Sequence, residues 1–380
     1  MDFELDDDQL ALQGAAQEIL AKECPPALIR AVAEGHDRGD RLWSTLVGLD
    51  WPGLAVEAEA GGSGATEVEL AIVVEQLGHV ADPTPFLATT TQYVPLVQAS
   101  TDDEQRRQLL GAIAAGGTGT VALATADGRW DLTALPVRAE RTAGGWALSG
   151  SASFVLDGDR AEEVAVVATT GDGPDARPVV VVVAGAEVAT ERRPALDPTL
   201  HVATVDVGGI TVADDRVLAL DDPAASVTAA LELAVTGLAL SMVGACQRAF
   251  DLAIVYSKER HQFDVPIGSF QALKHKAVDL YTLIERARAL GQFAALCIAV
   301  DDPRRTAAAA MAKAAAGDAQ HLVFRHTIQF FGGIGFTWEN DLHLYLRRAK
   351  AGELLLGGAA HHRAALGRSE LARRLAATGS

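Results

Sequence analysis

The feature that most constrains this fold is a block of short strand patterns that lies between two helical regions. The block runs from about Thr118 to Leu220. Within it, Val164–Ala168 and Val179–Val183 are β-branched runs bounded by Gly, Asp and Pro, a pattern typical of strands. Because no helix-length segment separates these strands, the block predicts an antiparallel barrel or sandwich and argues against a βαβ sheet.

Helical patterns lie on both sides of this block. Ala224–Arg260 is apolar on nearly every face, which predicts a helix buried in a bundle. Two more helices are predicted at Phe270–Val300 and Arg304–Phe331, because the proline in Asp301-Asp-Pro303 cannot continue a helix.

The two changes of pattern predict three domains, in line with the length of the chain. We expect an N-terminal helical domain at residues 1–116, a middle β domain at 117–221 and a C-terminal helical bundle domain at 222–380.

Charge and cysteine content exclude several classes of protein. The 380 residues carry a formal net charge of −18, which the phosphate backbone of a nucleic acid would repel. Hydrophobic residues make up 49% of the chain, too many for a disordered protein. Cys24, Cys246 and Cys297 are spaced too widely for a disulfide framework or a metal knuckle.

The location of the protein is predicted from its apolar segments. The first residues, MDFELDDDQL, lack the basic-then-apolar order of a signal peptide. A charge or a glycine interrupts the apolar runs before about 20 residues, so no membrane span is predicted. We therefore expect a cytoplasmic protein that binds neither nucleic acid nor a membrane.

The first motif is the segment between two predicted helices, where Ala224–Arg260 ends and Phe270–Val300 begins. Arg260 is expected in the last turn of its helix, where a cation suits the helix dipole and the planar guanidinium can bind a phosphate. Taken alone, the segment is also typical of a surface helix end with an arginine lying along it.

The second motif is the glycine-rich segment Gln329-Phe-Phe-Gly-Gly-Ile-Gly-Phe336. Closely spaced glycines let the backbone approach a ligand or a neighbouring helix. The segment lacks the GxxxxGK[ST] pattern and follows a helix rather than a strand, so it does not predict a P-loop. Taken alone, it also suits a simple turn between helices.

Together and in order, these segments resemble the acyl-CoA dehydrogenase family. Its members carry Arg-x-x-Phe at this helix end, Phe-Gln a few residues on, and Gln-x-x-Gly-Gly-x-Gly-Phe further down. Leu49-Asp-Trp-Pro-Gly-Leu and Trp146-Ala-Leu-Ser-Gly are similar to segments of the family's first helical domain and β domain. Arg347-Arg-Ala-Lys350 is similar to the segment before its last helices, so the resemblance covers essentially the whole chain.

The resemblance implies an α+β fold with an N-terminal helical domain, a middle antiparallel β-barrel and a C-terminal four-helix bundle. It also implies a tetramer or dimer with FAD at a subunit interface. The family's reaction removes a proton α to the carbonyl of an acyl-CoA and a hydride from the β carbon, which leaves a trans-2-enoyl-CoA. FAD takes the hydride, and an electron-transferring flavoprotein then takes the electrons.

The resemblance assigns six residues to FAD by their position. Two match contacts to the diphosphate and adenine side of FAD, one begins the following helix, and three match a second contact across the subunit interface. In that order they are Arg260 and Phe263, Gln271, and Gln329, Gly332 and Gly333.

The family's catalytic base is missing from both positions where the resemblance implies it. The commoner position precedes a glycine in the final loop, as Glu-Gly-Thr, and here it is Leu356 followed by Gly357. The other position lies on the long helix, and here it is Ala234. Removal of a proton α to a thioester needs a positioned base of suitable pKa, so this is the main departure from the family.

Other family contacts to the flavin are altered too. The Thr-Glu-x-x-x-Gly-Ser-Asp segment reads Thr125-Ala-Asp-Gly-Arg-Trp-Asp131, and the Trp-Ile-Thr segment reads Phe154-Val-Leu156. The threonine and glutamine that follow the base are Gly358 and Ala360. Random substitution at a single site does not explain why several of the family's flavin contacts are lost together.

Two hypotheses follow. In the first, the chain is the base-lacking partner in a heteromeric dehydrogenase of the actinobacterial α2β2 type, which acts on bulky CoA esters such as steroid side chains, and the second subunit supplies the glutamate. In the second, a homo-oligomer has relocated its base to Glu232 or Glu353. Because Glu232 lies about 200° around the helix from Ala234, and only proximity to Leu356 favours Glu353, the first is preferred.

His361 and His362 are the pair that most suggests a metal. Adjacent residues on a helix diverge by about 100° and do not face one point. We therefore predict no metal site here and expect both histidines to be solvated or to cap a helix.

Overall fold

The structure, a computed structural model, describes residues 4–378. The helices, in chain order, are α1 (Asp7–Glu23), α2 (Pro26–Ala33), α3 (Asp40–Gly48), α4 (Glu67–His79), α5 (Phe86–Ala88), α6 (Val94–Gln98), α7 (Asp103–Ala114), α8 (Pro223–Glu259), α9 (Gln271–Ala299), α10 (Arg305–Phe331), α11 (Leu342–Leu354) and α12 (Ala359–Thr378). The strands are β1 (Gly119–Ala122), β2 (Val137–Thr142), β3 (Gly145–Leu156), β4 (Glu163–Thr170), β5 (Arg177–Ala184), β6 (Ala189–Arg193), β7 (Val202–Asp206), β8 (Thr211–Val212), β9 (His261–Gln262) and β10 (Val265–Pro266).

This order of elements confirms the predicted α+β fold class. Strands β1–β8 follow α1–α7 and precede α8–α12, with only the two-residue strands β9 and β10 among the last helices. The three long helices α8, α9 and α10 begin and end within one residue of their predicted bounds.

The sheet of β1–β8 is mixed, which corrects one detail of the prediction. Its order is β1-β4-β2-β3-β7-β6, with β5 beside β4 and β8 beside β3. The pairs β2–β3, β3–β7, β3–β8, β4–β5 and β6–β7 are antiparallel as expected, but β1 pairs with β4 in parallel. A parallel pair needs a long connection, and here the hairpin of β2 and β3 lies between the two strands in sequence.

The valine-rich strands β4 and β5 are buried on both faces. They pair antiparallel along their whole length, from Glu163 opposite Ala184 to Thr170 opposite Arg177. Val164 and Val166 join one buried apolar cluster, whereas Ala165 and Val167 join another. Burial on both faces explains why these strands are nearly continuous apolar runs rather than alternating ones.

The chain divides into two compact units. One contains the residues up to 36, residues 67–82 and the residues from 235 on, and the other contains residues 37–66 and 83–234. Strands β1–β8 belong to the second unit, and α9–α12 belong to the first. The three-domain division drawn from the sequence stays a prediction.

Within the first unit, α4 and α8 touch through glycines. A β-carbon added to Gly78 would lie 2.3 Å from the Ser241 carbonyl oxygen, and one added to Gly244 would lie 2.0 Å from the Glu75 carbonyl oxygen. Only glycine permits two helix backbones to approach so closely.

Helix α8 is long and apolar enough to cross a membrane by length and composition alone. However, 83% of its most apolar window is buried inside the protein. Such burial is typical of a core helix, as the sequence predicts for this segment.

Candidate functional site

The first predicted motif forms a small exposed hairpin at the end of α8. The helix ends at Glu259, so Arg260 lies one residue beyond the predicted last turn, and its N–H still donates to the Tyr256 carbonyl oxygen at 2.8 Å. Strands β9 and β10 follow, joined by Phe263 and Asp264, whose φ angles are 56° and 61°. Two successive positive φ values are typical of a tight hairpin turn.

Phe263 is the most exposed apolar side chain of this hairpin. It is 86% exposed, although its ring makes an edge contact with Phe270 at 6.2 Å between centroids. A bulky residue with positive φ is uncommon and costs conformational energy, and such strain is found mostly at functional sites. The hairpin therefore presents Arg260 and Phe263 outward at an energetic cost.

The second motif begins where α10 ends. Gly332 has φ 61° and ψ −138°, a conformation that residues with a side chain rarely adopt, and a short 3₁₀ turn continues to Phe336. A β-carbon added to Gly332 or Gly333 would meet no atom within 4 Å, so the space beside both glycines is open. Gln329 precedes them on the last turn of α10 and is exposed.

The structure brings the two motifs to one end of the helical bundle. Tyr256 on α8 and Phe331 on α10 stack with ring centroids 4.4 Å apart. A cavity of about 370 Å³ lies beside the hairpin, and Pro266, Leu273 and Phe330 line it together with other residues of α8 and α9. Its lining is mostly apolar, with a few polar groups.

These groups fit the diphosphate and adenine part of FAD. Arg260 is exposed and has no ion pair within residues 4–378, so its guanidinium is available to a phosphate. The open glycines let a ligand approach the backbone N–H groups, and the apolar cleft suits a flat ring. Gln271 at the start of α9 and Gln329 add exposed amides.

The two positions that the resemblance assigns to the base, Leu356 and Ala234, hold no carboxylate. Leu356 lies in the loop between α11 and α12 and is 5% exposed, with φ 53°. Ala234 lies on α8 and is 1% exposed. Both side chains are buried and apolar, and neither can accept a proton.

Of the two alternative carboxylates, Glu232 is buried and Glu353 accepts a hydrogen bond from the backbone. Glu353 Oε1 accepts a hydrogen bond from the Ala359 N–H at 3.0 Å, so it satisfies one of the free N–H groups that begin α12. Glu353 Oε2 is buried and has no hydrogen-bond partner among the described residues, and a β-carbon at Gly317 would lie 2.2 Å from it. Glu232 is buried on α8.

Lys313, which no sequence motif indicates, supports the loop around Leu356. Its fully buried ammonium donates to the carbonyl oxygens of Leu355 at 2.8 Å and Gly357 at 2.7 Å. Burial lowers the pKa of Lys313 to about 8. The one available signal was a lysine within the alanine-rich run that continues through Ala316.

His362 is buried, which corrects the expectation of a solvated histidine. Its Nε2 lies 2.9 Å from the Leu356 carbonyl oxygen, so Nε2 must carry the proton and donate. His361 and His362 contact each other edge to face. Among the residues that the structure describes, no group of three or more His, Cys, Asp or Glu could hold a metal.

Burial of His362 gives the stability of the chain a dependence on pH. Burial lowers its pKa to about 4, against about 6.5 in an unfolded chain. Between these values the unfolded state binds more protons, so stability is lost as pH falls from about 6.5 to about 4, by up to about 3 kcal/mol. In urea unfolding, we expect the free energy of unfolding of His362→Gln to fall less over this range. The exposed-site variant His36→Gln should follow the unmodified chain, and an equally steep fall in His362→Gln would contradict the assignment.

In the β region, the first segment aligned with the family's flavin contacts is hydrogen-bonded within itself, and its Trp130 ring lies near Phe154 of the second. The Thr125 hydroxyl donates to Asp127 at 2.5 Å and accepts the Arg129 N–H at 3.0 Å. The Trp130 ring lies 6.4 Å from the ring of Phe154, which lies within a bulge in β3 and has φ 54°. The bulge turns Phe154 partly outward.

Comparison with known proteins identifies the family from both helical parts of the chain. Residues 6–117 match the family description "Acyl-CoA dehydrogenase, N-terminal domain", and residues 224–371 match "Acyl-CoA dehydrogenase, C-terminal domain". Acyl-CoA dehydrogenase IpdE2 of Mycobacterium tuberculosis is 32% identical over 360 residues, which cover 92% of this chain and 93% of that protein.

Two solved structures are similar over nearly the full length. The ChsE4-ChsE5 complex from Mycobacterium tuberculosis matches with a TM-score of 0.87 and 27% identity, covering 98% of this chain and 99% of the matched one. The Tcur3481-Tcur3483 steroid ACAD variant matches with a TM-score of 0.84 and 29% identity, again covering 98% and 99%. This chain therefore belongs to the acyl-CoA dehydrogenase family of FAD-dependent oxidoreductases.

Proposed function

We propose that this chain is the base-lacking subunit of a heteromeric acyl-CoA dehydrogenase, which converts an acyl-CoA thioester to the 2-enoyl-CoA. The observation that carries the proposal is the pair of buried apolar side chains, Leu356 and Ala234, at the two family positions of the base. A second subunit of the same family then supplies the glutamate that takes the α-proton.

The chemistry of the reaction determines which steps each subunit can perform. FAD, when bound, accepts the hydride from the β carbon. A proton acceptor must lie within hydrogen-bond reach of the α carbon and be poised near neutral pH, which an apolar side chain cannot provide. Proton removal therefore belongs to the partner, and this chain binds and orients.

The groups that this chain contributes are those at the end of its helical bundle. Arg260 would bind the FAD diphosphate in the partner's cleft, and Phe263 would lie against the adenine side. Gln329, Gly332 and Gly333 would add amide and backbone N–H donors, with Gln271 beside them. Their exposure supports a role across a subunit interface, because exposed groups are available to a second chain.

The segments of this chain that align with the family's flavin contacts are poorly suited to binding FAD. The hydroxyl of Thr125 is already used by Asp127 and the Arg129 N–H, and Trp130 packs near Phe154 in the segments that meet the flavin elsewhere in the family. We therefore expect one FAD for each pair of unlike chains.

The alternative is a homomeric enzyme with a relocated base at Glu232 or Glu353. The hydrogen bond from the Ala359 N–H to Glu353 favours a structural role for that carboxylate instead. For Glu232, the helical periodicity still opposes the family geometry.

The substrate class is proposed from the relatives. One similar structure is described as a steroid ACAD, and another is a complex of two different chains. We propose a bulky CoA thioester of steroid breakdown as the substrate and an electron-transferring flavoprotein as the electron acceptor. A cytoplasmic location is part of the same proposal.

Flavin content tests the proposed assembly. The chain is purified alone and after co-expression with a glutamate-bearing member of the family from the same organism, and FAD is measured by absorbance against protein. We expect little FAD in the chain alone and one FAD per pair of chains in a stable complex. A chain that retains one FAD per subunit by itself would contradict the proposal.

A further inference from the structure

A second cavity, of about 710 Å³, lies in the first unit and shares no lining residue with the candidate site. It is lined by residues of α1, α4, α8, α9 and α11, many of them polar or charged. A volume of this size is typical of small-molecule sites.

One cation of the cavity is already satisfied by the protein. Arg288 on α9 donates to Glu75 at 2.7 Å and to the Gln247 side-chain oxygen at 2.8 Å, and it also pairs with Glu285. Each of the three guanidinium nitrogens of Arg288 therefore already donates to a protein group.

Gln76 on α4 has an amide that the protein does not use. The side chain is only 6% exposed and lines the cavity, yet it makes no hydrogen bond to any residue that the structure describes. Because the amide borders the cavity, its donor and acceptor groups are available to a polar molecule there.

Arg248 and Asp251 lie three residues apart on α8, and their side chains contact different neighbouring helices. Arg248 lies over the Tyr345 ring of α11, 5.7 Å from its centroid, and within the described part of the chain it has no ion pair. Asp251 lies toward α4, with Oδ2 3.3 Å from His79 Nε2. Asp251 and Glu285 are both close to half exposed, so each carboxylate keeps acceptor capacity.

The charges that line the cavity limit the class of ligand that can bind there. Three carboxylates, of Glu75, Asp251 and Glu285, face two guanidinium groups, so with neutral histidine the lining carries one surplus negative charge. This surplus negative charge would repel a simple anion, and a simple amine would leave Arg248 without an ion pair. A ligand with one charge of each sign can pair both with Arg248 and with the carboxylates.

We propose that this cavity binds a small zwitterion of the α-amino-acid type. Its carboxylate pairs with Arg248, its ammonium group lies toward Asp251 and Glu285, and Gln76 forms hydrogen bonds with it. This site is independent of the proposed function, because it uses none of the residues assigned to FAD.

Calorimetric titration of the full chain with the common L-amino acids, one at a time, tests the site. Acetate and methylamine, each carrying one half of the ligand, are the matched probes. We expect saturable binding of at least one amino acid, at least about tenfold tighter than either half-ligand. Absence of saturable binding by every amino acid, or acetate or methylamine binding as tightly, would overturn the proposal.

Variants locate the binding in this cavity. Gln76→Leu and Arg248→Met should each weaken binding of that amino acid by at least about tenfold. The surface variants Gln108→Leu and Arg107→Met should bind as the unmodified chain does. Arg248 is half-buried and contacts Tyr345 over its ring and through a side-chain hydrogen bond, so its variant is expected to fold even if Gln76→Leu does not. Full binding by a folded Arg248→Met variant would overturn the site.

Discussion

Replacing Arg260 by alanine is expected to lower the affinity of the assembled enzyme for FAD by about a hundredfold. A hydrogen bond between an arginine and a phosphate is charge-assisted and often bidentate, and its loss costs about 2–3 kcal/mol. Because Arg260 is exposed and has no ion pair within the described part of the chain, the change should leave the fold of the chain intact.

The affinity is measured by adding FAD to the apo-complex and following the quenching of flavin fluorescence. Arg107→Ala, at another exposed position, is the control and should bind FAD normally. Arg260→Lys keeps the charge but not the planar fork, so an intermediate affinity is expected. If Arg260→Ala bound FAD as tightly as the unmodified complex, the interface assignment would be wrong.

Replacing Arg288 by methionine is expected to destabilise the chain by about 3–5 kcal/mol. Arg288 pairs with Glu75, which is 5% exposed, and burial already raises the pKa of that carboxyl. Removing the guanidinium leaves a buried carboxylate without its partner and leaves Gln247 without its donor.

The loss is measured as the free energy of unfolding in urea. The neighbouring Arg286, which is half exposed and lies 3.6 Å from Asp318, provides the matched control, and Arg286→Met should change stability by less than about 1 kcal/mol. The double variant Glu75→Met/Arg288→Met should recover much of the loss, because two apolar side chains replace the pair. Equal losses in Arg288→Met and Arg286→Met would contradict this account.

The long helices could be predicted closely because local chemistry fixes their ends. Asp301-Asp-Pro303 separates α9 from α10, since proline cannot continue a helix, and both boundaries fall within one residue of the prediction. The strands β4 and β5 were likewise apparent as β-branched runs.

The pairing of strands could not be predicted in the same way. The parallel contact of β1 with β4 depends on where the intervening hairpin packs, which is a tertiary effect. The positive φ of Phe263 and Phe154 is equally hidden, because no local rule favours phenylalanine there.

At the candidate site, the sequence identified the surface groups better than the support beneath them. Arg260 and Gly332 belong to spaced motifs, and the structure brings their segments to one end of the bundle. Lys313 and His362 support the loop at Leu356 through contacts with backbone carbonyls, which leave no spacing pattern in the sequence. The roles of Arg260 and Gly332 in FAD binding remain predictions.

The rate of enoyl-CoA formation by the assembled complex measures which chain supplies the base. The complex is prepared with the partner's glutamate changed to glutamine, and separately with Glu232→Gln or Glu353→Gln in this chain. We predict that the change in the partner lowers the rate by at least about a thousandfold and that the changes in this chain leave it within a few-fold. A normal rate from the chain alone, or a comparable collapse in Glu232→Gln or Glu353→Gln, would show that this chain carries the proton acceptor itself.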